Sequence, residues 1–170
     1  MRTDDRAGGP ASLPTSIRYG HTSIVAADWR RLVDFYVSVF GCEVVPPIRN
    51  YTPEQLEPVT GIPGAAVQGA HVRLPGHGPN GPTLEIYQYS KIAERSRPAI
   101  NRAGLAHIAF VVEDVAMLRD AVLRAGGGAM GDIGMITLAD GRRVMFCYLT
   151  DPEGNIVEPL AFPPAADAAG

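Results

Sequence analysis

One offset relates the two halves of this chain, and it constrains the fold more than any other feature. Moving 86 residues along the sequence carries His21 onto His107, Asp28 onto Asp114, Leu32 onto Leu118, Tyr36 onto Val122 and Gly41 onto Gly127, without a gap. A histidine near the start of an apolar run, a capping aspartate, an apolar helix face and a glycine terminator thus recur in one order and one spacing. A repeat of this kind points to two copies of one supersecondary module that bury their apolar faces together.

The grammar of each copy is readable. In the first, Ile17–Ala26 predicts a strand, with Thr22, Ile24 and Val25 β-branched. Asp28 is placed to cap a helix of about three turns, in which Leu32, Phe35, Tyr36 and Val39 recur at helical spacing. Gly41 suits the left-handed residue that ends it. Cys42–Val45 reads as a short strand stopped by Pro46 and Pro47, and Ile48–Gly64 as a long loop of the kind that forms lids or binding segments. Ala65–Leu74 and Thr83–Tyr89 are the next strands, separated by a Gly/Pro-dense turn. Ser90–Arg102 is a polar linker, expected to be helical in part.

The second copy repeats the order. Leu105–Val112 is a strand, Asp114 a cap, and Leu118, Ala121, Val122 and Ala125 the buried helix face, closed by Gly126–Gly128. A short strand and turn are expected over Ala129–Gly141, a strong strand over Arg142–Leu149, a turn at Asp151–Asn155 and a last strand at Ile156–Phe162. Both modules therefore read βαβββ, and the fold class is α+β. The expected organisation is a tail over 1–16, one domain over 17–162 and a tail over 163–170. Within the domain, module 1 spans about 17–89, the linker 90–103 and module 2 about 104–162.

Composition removes several function classes. The chain has a net charge of −3, and no basic stripe offers itself to nucleic acid or an anionic membrane; Lys91 is its only lysine, so the positive charge is nearly all arginine. No apolar run is long enough to span a bilayer, and the N-terminal stretch has no apolar core that would make it a signal peptide. Cys42 and Cys147 have no metal-type spacing and are too few for a disulfide framework, so buried thiols in the cytoplasm are expected.

The chemistry is concentrated in four residues. Glu85 and Glu158 are each a lone carboxylate in the last strand of a module, flanked by apolar residues. Ionised carboxylates are costly to bury unless paired or metal-bound. If each of these strands lies beside its module's histidine strand, His21, Glu85, His107 and Glu158 converge. Two imidazoles and two carboxylates suit a first-row divalent ion (Zn, Ni, Co, Mn or Fe) with room for water or substrate. His71 and His77 have no counterpart in the other module and are left out of the expected site. Ser23 and Val25 share a face with His21, Tyr87 and Tyr89 with Glu85, and Ala109 with His107. Of Arg142 and Arg143, alternation aims only one inward, and a surface role is favoured for it.

The segments Gly20–Val25, Asp34–Gly41, Gly104–Phe110 and Asp151–Glu158 resemble the vicinal oxygen chelate superfamily, which includes glyoxalase I, methylmalonyl-CoA epimerase, extradiol dioxygenases and fosfomycin- and bleomycin-resistance proteins. The resemblance covers residues 17–162. It implies paired modules forming an incomplete barrel around a metal site, and frequent homodimers that sometimes exchange modules. Within the superfamily, extradiol dioxygenases and fosfomycin-resistance enzymes use two histidines and one glutamate, and antibiotic-sequestering members often lack the metal set. Glyoxalase I-like enzymes carry a carboxylate at the position of Glu85, where the epimerases typically have glutamine.

A filled His-Glu-His-Glu set therefore resembles the redox-neutral glyoxalase type most. That resemblance implies proton transfer next to a carbonyl on a small-molecule substrate, giving a lyase, isomerase or epimerase reaction. Glu158 is then the candidate base, with Glu85 able to serve the opposite face. The alternatives are an iron-dependent, ring-cleaving dioxygenase and a non-catalytic antibiotic- or metabolite-binding protein.

Overall fold

The computed structural model describes residues 16–94 and 96–164, so the two expected tails fall almost wholly outside the described residues. Module 1 contains β1 (His21–Val25), α1 (Trp29–Phe40), β2 (Glu43–Tyr51), α2 (Pro53–Thr60), β3 (Val67–Arg73) and β4 (Thr83–Tyr89). Module 2 contains β5 (Ile108–Val111), α3 (Val115–Arg124), β6 (Gly128–Ala129), β7 (Gly134–Thr137), β8 (Arg143–Phe146), β9 (Leu149–Thr150) and β10 (Ile156–Ala161). The strands form two open sheets, ordered β1-β4-β3-β2 and β6-β9-β10-β8-β7, with β5 pairing β10.

The repeat is physical. In each module the first strand runs parallel to the last, with Ser23 opposite Glu85 in one and Ala109 opposite Glu158 in the other. Ser23 and Ala109 are themselves related by the 86-residue offset, so each glutamate sits at the same register against its histidine strand. The helices begin alike: the Asp28 carboxylate accepts from the N–H groups of Arg30 and Arg31, and Asp114 from that of Met117. These bonds satisfy amides that the first helical turn leaves without partners. Gly41, at φ 67°, ends α1 in the left-handed region, where an L side chain would crowd its own backbone.

One core serves both modules. Leu32, Phe35 and Tyr36 of α1 lie against Ala70, Val72, Leu84 and Ile86, and continue into Phe110, Val115, Val122 and Val157. The rings of Phe40 and Phe110 stack across the join, 4.1 Å apart. A second join is polar: the buried Tyr36 hydroxyl donates to the Asp151 carboxylate at 3.0 Å, and the Glu153 carboxylate accepts from the N–H groups of Ala27 and Asp28. The Asp151–Asn155 turn of module 2 thereby clasps the start of the module 1 helix.

Three expectations need correcting. The segment 48–64 is not a loop: β2 runs on through Pro46 and Pro47 to Tyr51, and α2 follows. β2 is an edge strand, where a missing proline N–H removes no ladder bond, and its register shifts between Val45 and Arg49. Pro53 likewise sits at the first turn of α2, where its N–H would have had no partner.

The single strand expected over Arg142–Leu149 is broken into β8 and β9, although both pair with β10 in one continuous register. That register sets Cys147 opposite Pro159, which has no N–H to return, so the ladder lapses there. No helix forms among the described residues of Ser90–Arg102. Pro98 and the lack of an apolar face account for that.

Candidate metal centre

The four expected ligands form two pairs. His21 Nε2 lies 3.8 Å from Glu85 Oε2, and His107 Nε2 lies 2.9 Å from Glu158 Oε2. Strand alternation puts each pair on the sheet face opposite its helix. The glutamates are 17% and 13% exposed, and among the described residues their ion-pair partners are histidines only. Carboxylates that lie this deep, facing imidazoles rather than Arg or Lys, match the donor chemistry of a divalent-ion site.

His71 also lies in this group of side chains, and the sequence alone had left it out. β3 and β4 pair antiparallel with His71 directly opposite Glu85, which brings His71 Nε2 to 3.3 Å from Glu85 Oε2. The rings of His21 and His71 meet edge to face, 5.4 Å apart. Ligand atoms of His21, His71 and Glu85 all lie within 4.8 Å of one another; His107 and Glu158 are not part of that cluster. Part of the signal was present: the Pro75–Pro82 turn implies a hairpin that brings position 71 to the level of 85 and 86, and the observed register selects Glu85. A search confined to residues matched across the repeat could not find it.

The surroundings hold His71 in place. Its Nδ1 lies 2.9 Å from Thr83 Oγ1, and the Tyr87 hydroxyl is 3.4 Å from Nε2. Burial pushes the His71 imidazole below its usual range, against the upward pull of Glu85, which favours the neutral ring. Burial, followed by the bond to Tyr51, pushes the Tyr87 phenol well above its usual range, so it stays protonated. Tyr87 lies over Gly69, where even a Cβ would fall 2.1 Å from the Ile86 carbonyl oxygen and 2.5 Å from the Tyr87 ring.

In module 2, His107 faces Tyr148 at a ring distance of 5.4 Å, and its Nδ1 is buried without a hydrogen-bond partner. A groove of about 290 Å³ runs between β1 and β5, lined by Ser23, Val25, Arg102, Leu105, His107 and Asn155. His21, His71 and Glu85 do not line it. Of the remaining sequence candidates, His77 is exposed in its turn and Arg142 pairs with Asp140 at 2.7 Å on the surface.

The family model for the Glyoxalase/Bleomycin resistance protein/Dioxygenase superfamily matches residues 18–158. The chain belongs to this superfamily. Solved structures agree with that membership at the level of fold. A glyoxalase family protein from Bacillus cereus is similar at TM-score 0.73 and 19% identity, covering 89% of this chain and 97% of that one. A glyoxylase/bleomycin resistance protein/dioxygenase domain from Frankia sp. gives 0.55 and 17%, covering 88% and 100%. A glyoxalase I mutant from Zea mays gives 0.57 and 18%, covering 84% of this chain and 45% of that one. No curated protein matches the chain. As a member of this superfamily, the protein has a fold that hosts many chemistries, so its reaction must be argued from its own donors.

Proposed function

We propose that this protein is a divalent-metal-dependent enzyme of the glyoxalase or epimerase type, moving a proton at the carbon next to a carbonyl of a small molecule. The observation that carries the reading is the repetition of one device: a histidine and a glutamate on parallel strands at the same register in both modules. Conventional packing would place apolar residues at Glu85 and Glu158. Both are carboxylates instead, each within 4 Å of an imidazole.

The donors fit a first-row ion, and His21, Glu85, His107 and Glu158 would hold it. When bound, such an ion acts as a Lewis acid toward a carbonyl oxygen. The chain's own residues supply the rest. Glu158, 13% exposed, takes the proton from the adjacent carbon and returns it, and Glu85 serves the opposite face. Ser23 and Val25 on the open face of β1 border the substrate.

The open faces also support a homodimer. His21 is 47% exposed, and Val25, Leu105 and Val111 are 47%, 78% and 73% exposed. An apolar surface of this kind around a catalytic pair suits a second copy, which would bring one copy's His21–Glu85 to the other's His107–Glu158. No helix of the described residues is long and apolar enough to cross a membrane, and both cysteines are buried and free, which supports a cytoplasmic setting.

The test is metal analysis of purified protein, followed by solvent-deuterium exchange on 2-oxoaldehyde–thiol adducts and acyl-CoA thioesters. Exchange beside the carbonyl, lost in Glu158→Gln with the metal retained, is the expected result. Full turnover by Glu158→Gln refutes the base assignment. Turnover that stops without oxygen assigns a dioxygenase instead, and a metal-free native protein points to a binding protein.

A further inference from the structure

We infer that His71 is itself a metal ligand, so that module 1 alone holds the ion through His21, His71 and Glu85, and the His107–Glu158 pair joins a centre already loaded. This rests on the metal-dependent reading above and adds an unequal division of labour between the two modules.

Geometry is the first support. Two donors at about 2.1 Å from one ion lie about 3.4 Å apart in a tetrahedron and at most about 4.2 Å apart. The His71–Glu85 separation is 3.3 Å and the His21–Glu85 separation 3.8 Å, with all three ligand atoms inside 4.8 Å. The three ligand atoms thus lie close to the spacing that one shared ion requires. A three-donor set leaves positions open for further ligands, as a catalytic site requires.

The second support is the setting of the ring. Metal-bound imidazoles characteristically use their other nitrogen in a hydrogen bond that fixes ring orientation. His71 has that arrangement: Nδ1 bonds Thr83 Oγ1 at 2.9 Å while Nε2 faces Glu85. In contrast, His107 has its Nδ1 buried and unpartnered.

The third support is the break in the repeat. The antiparallel register of β8 and β9 on β10 sets Tyr148 opposite Glu158, where module 1 sets His71 opposite Glu85. Module 2 thus has a phenol at the position where module 1 has an imidazole. Among the described residues, the only three-donor cluster lies in module 1. The duplication has diverged at one position, from a pair of ligands to a triad.

The experiment is binding of Co(II) and Zn(II) to the full chain by equilibrium dialysis with elemental analysis, together with the visible absorption of the Co(II) form. His71→Gln is expected to weaken binding by about 100-fold and change the Co(II) spectrum. Thr83→Val, which only frees the ring, is expected to weaken binding by about tenfold and keep the spectrum. The double variant His107→Gln/Glu158→Gln is expected to retain one ion per chain. Circular dichroism of the metal-free proteins checks each fold, and His71→Asn substitutes if the Gln variant does not fold.

Wild-type affinity and spectrum in His71→Gln overturn the inference while leaving the metal-dependent reading intact. So does loss of the ion from the double variant with retention in His71→Gln. Absence of binding in the wild-type chain overturns both.

Discussion

Removing the Tyr36 hydroxyl tests the polar join between the modules. The side chains of Tyr36 and Asp151 are 0% and 2% exposed, so no water can replace the bond that Tyr36→Phe deletes. The phenylalanine ring fills the same space, so no cavity term enters. A hydrogen bond to a charged group contributes about 1.5–3 kcal/mol. Asp151 keeps three other donors, the N–H groups of Glu153 and Asn155 and the Asn155 side-chain amide, so its carboxylate is not orphaned. The lower end applies: about 1.5 kcal/mol, or a Tm lowered by roughly 3–6 °C for a chain of this size.

The effect also has a pH signature. Burial pushes the Asp151 carboxyl above its ordinary value, while its hydrogen bonds, that from Tyr36 included, pull it down. Between the unfolded value of about 3.9 and the raised folded value, the native state holds the extra proton. Native stability from this group is therefore full below that window and falls as pH rises through it. Without the Tyr36 bond the folded value rises further and the window extends upward. The deficit of Tyr36→Phe should thus grow from acid toward neutral pH and then level off. Urea unfolding of both proteins at one-unit steps from pH 4 to 8 measures it. A deficit below about 0.5 kcal/mol, or one largest at pH 4, would refute the reasoning.

Three further outcomes are expected. Gly69→Ala should cost about 3 kcal/mol in urea unfolding, because its Cβ would meet the Ile86 carbonyl at 2.1 Å and the Tyr87 ring at 2.5 Å. Asp28→Ala and Asp114→Ala should each cost about 1 kcal/mol. The first should cost more, since Asp28 caps two amides and Asp114 one, and paired thermal melts would check the order. Stripping the metal with a chelator should lower Tm reversibly, by about 2.7 kcal/mol in stability if the free ion had been at 100 times its Kd. An unchanged melting curve would argue against a bound ion.

The sequence disclosed most of what depends on local grammar or on the duplication. Asp28 and Asp114 as caps, Gly41 as terminator and Thr83–Tyr89 as a strand are all found in the structure. The glutamate pairing was legible because each glutamate stands alone among apolar residues in the last strand of its module, beside a histidine strand that the 86-residue offset does relate to its counterpart. The two misses within the sheets share a cause: proline acts through its position in a sheet, which composition does not reveal. Pro46 and Pro47 read as a stop because edge-strand status is a tertiary fact, and Pro159 broke a neighbouring segment for the same reason. His71 was missed because its approach to Glu85 comes from a hairpin register within one module, where symmetry between modules carries no information.

The Asp151–Asn155 turn, read as a turn and a family signature, ties the strand of one His–Glu pair to the strand of the other. Asp151 holds Tyr36, and Glu153 holds the amides of Ala27 and Asp28, just after the strand that carries His21. The same turn leads directly into β10, which carries Glu158. It therefore fixes how the two modules of one chain sit, on which the meeting of the proposed donor pairs between copies depends, and the Glu153 carboxylate gains further from the positive end of α1. Glu153→Ala should cost about 1 kcal/mol for the bonds to the two amides, which are exposed enough for water to replace the carboxylate. Its effect on turnover should exceed that, with kcat falling at least tenfold, since catalytic groups lose rate steeply with small displacements. The affinity of the His21–His71–Glu85 cluster for Co(II) should stay unchanged, because all three donors lie in module 1. Loss of metal affinity in Glu153→Ala, or full turnover alongside the lowered Tm, would show that the turn does not act by fixing how the two modules sit.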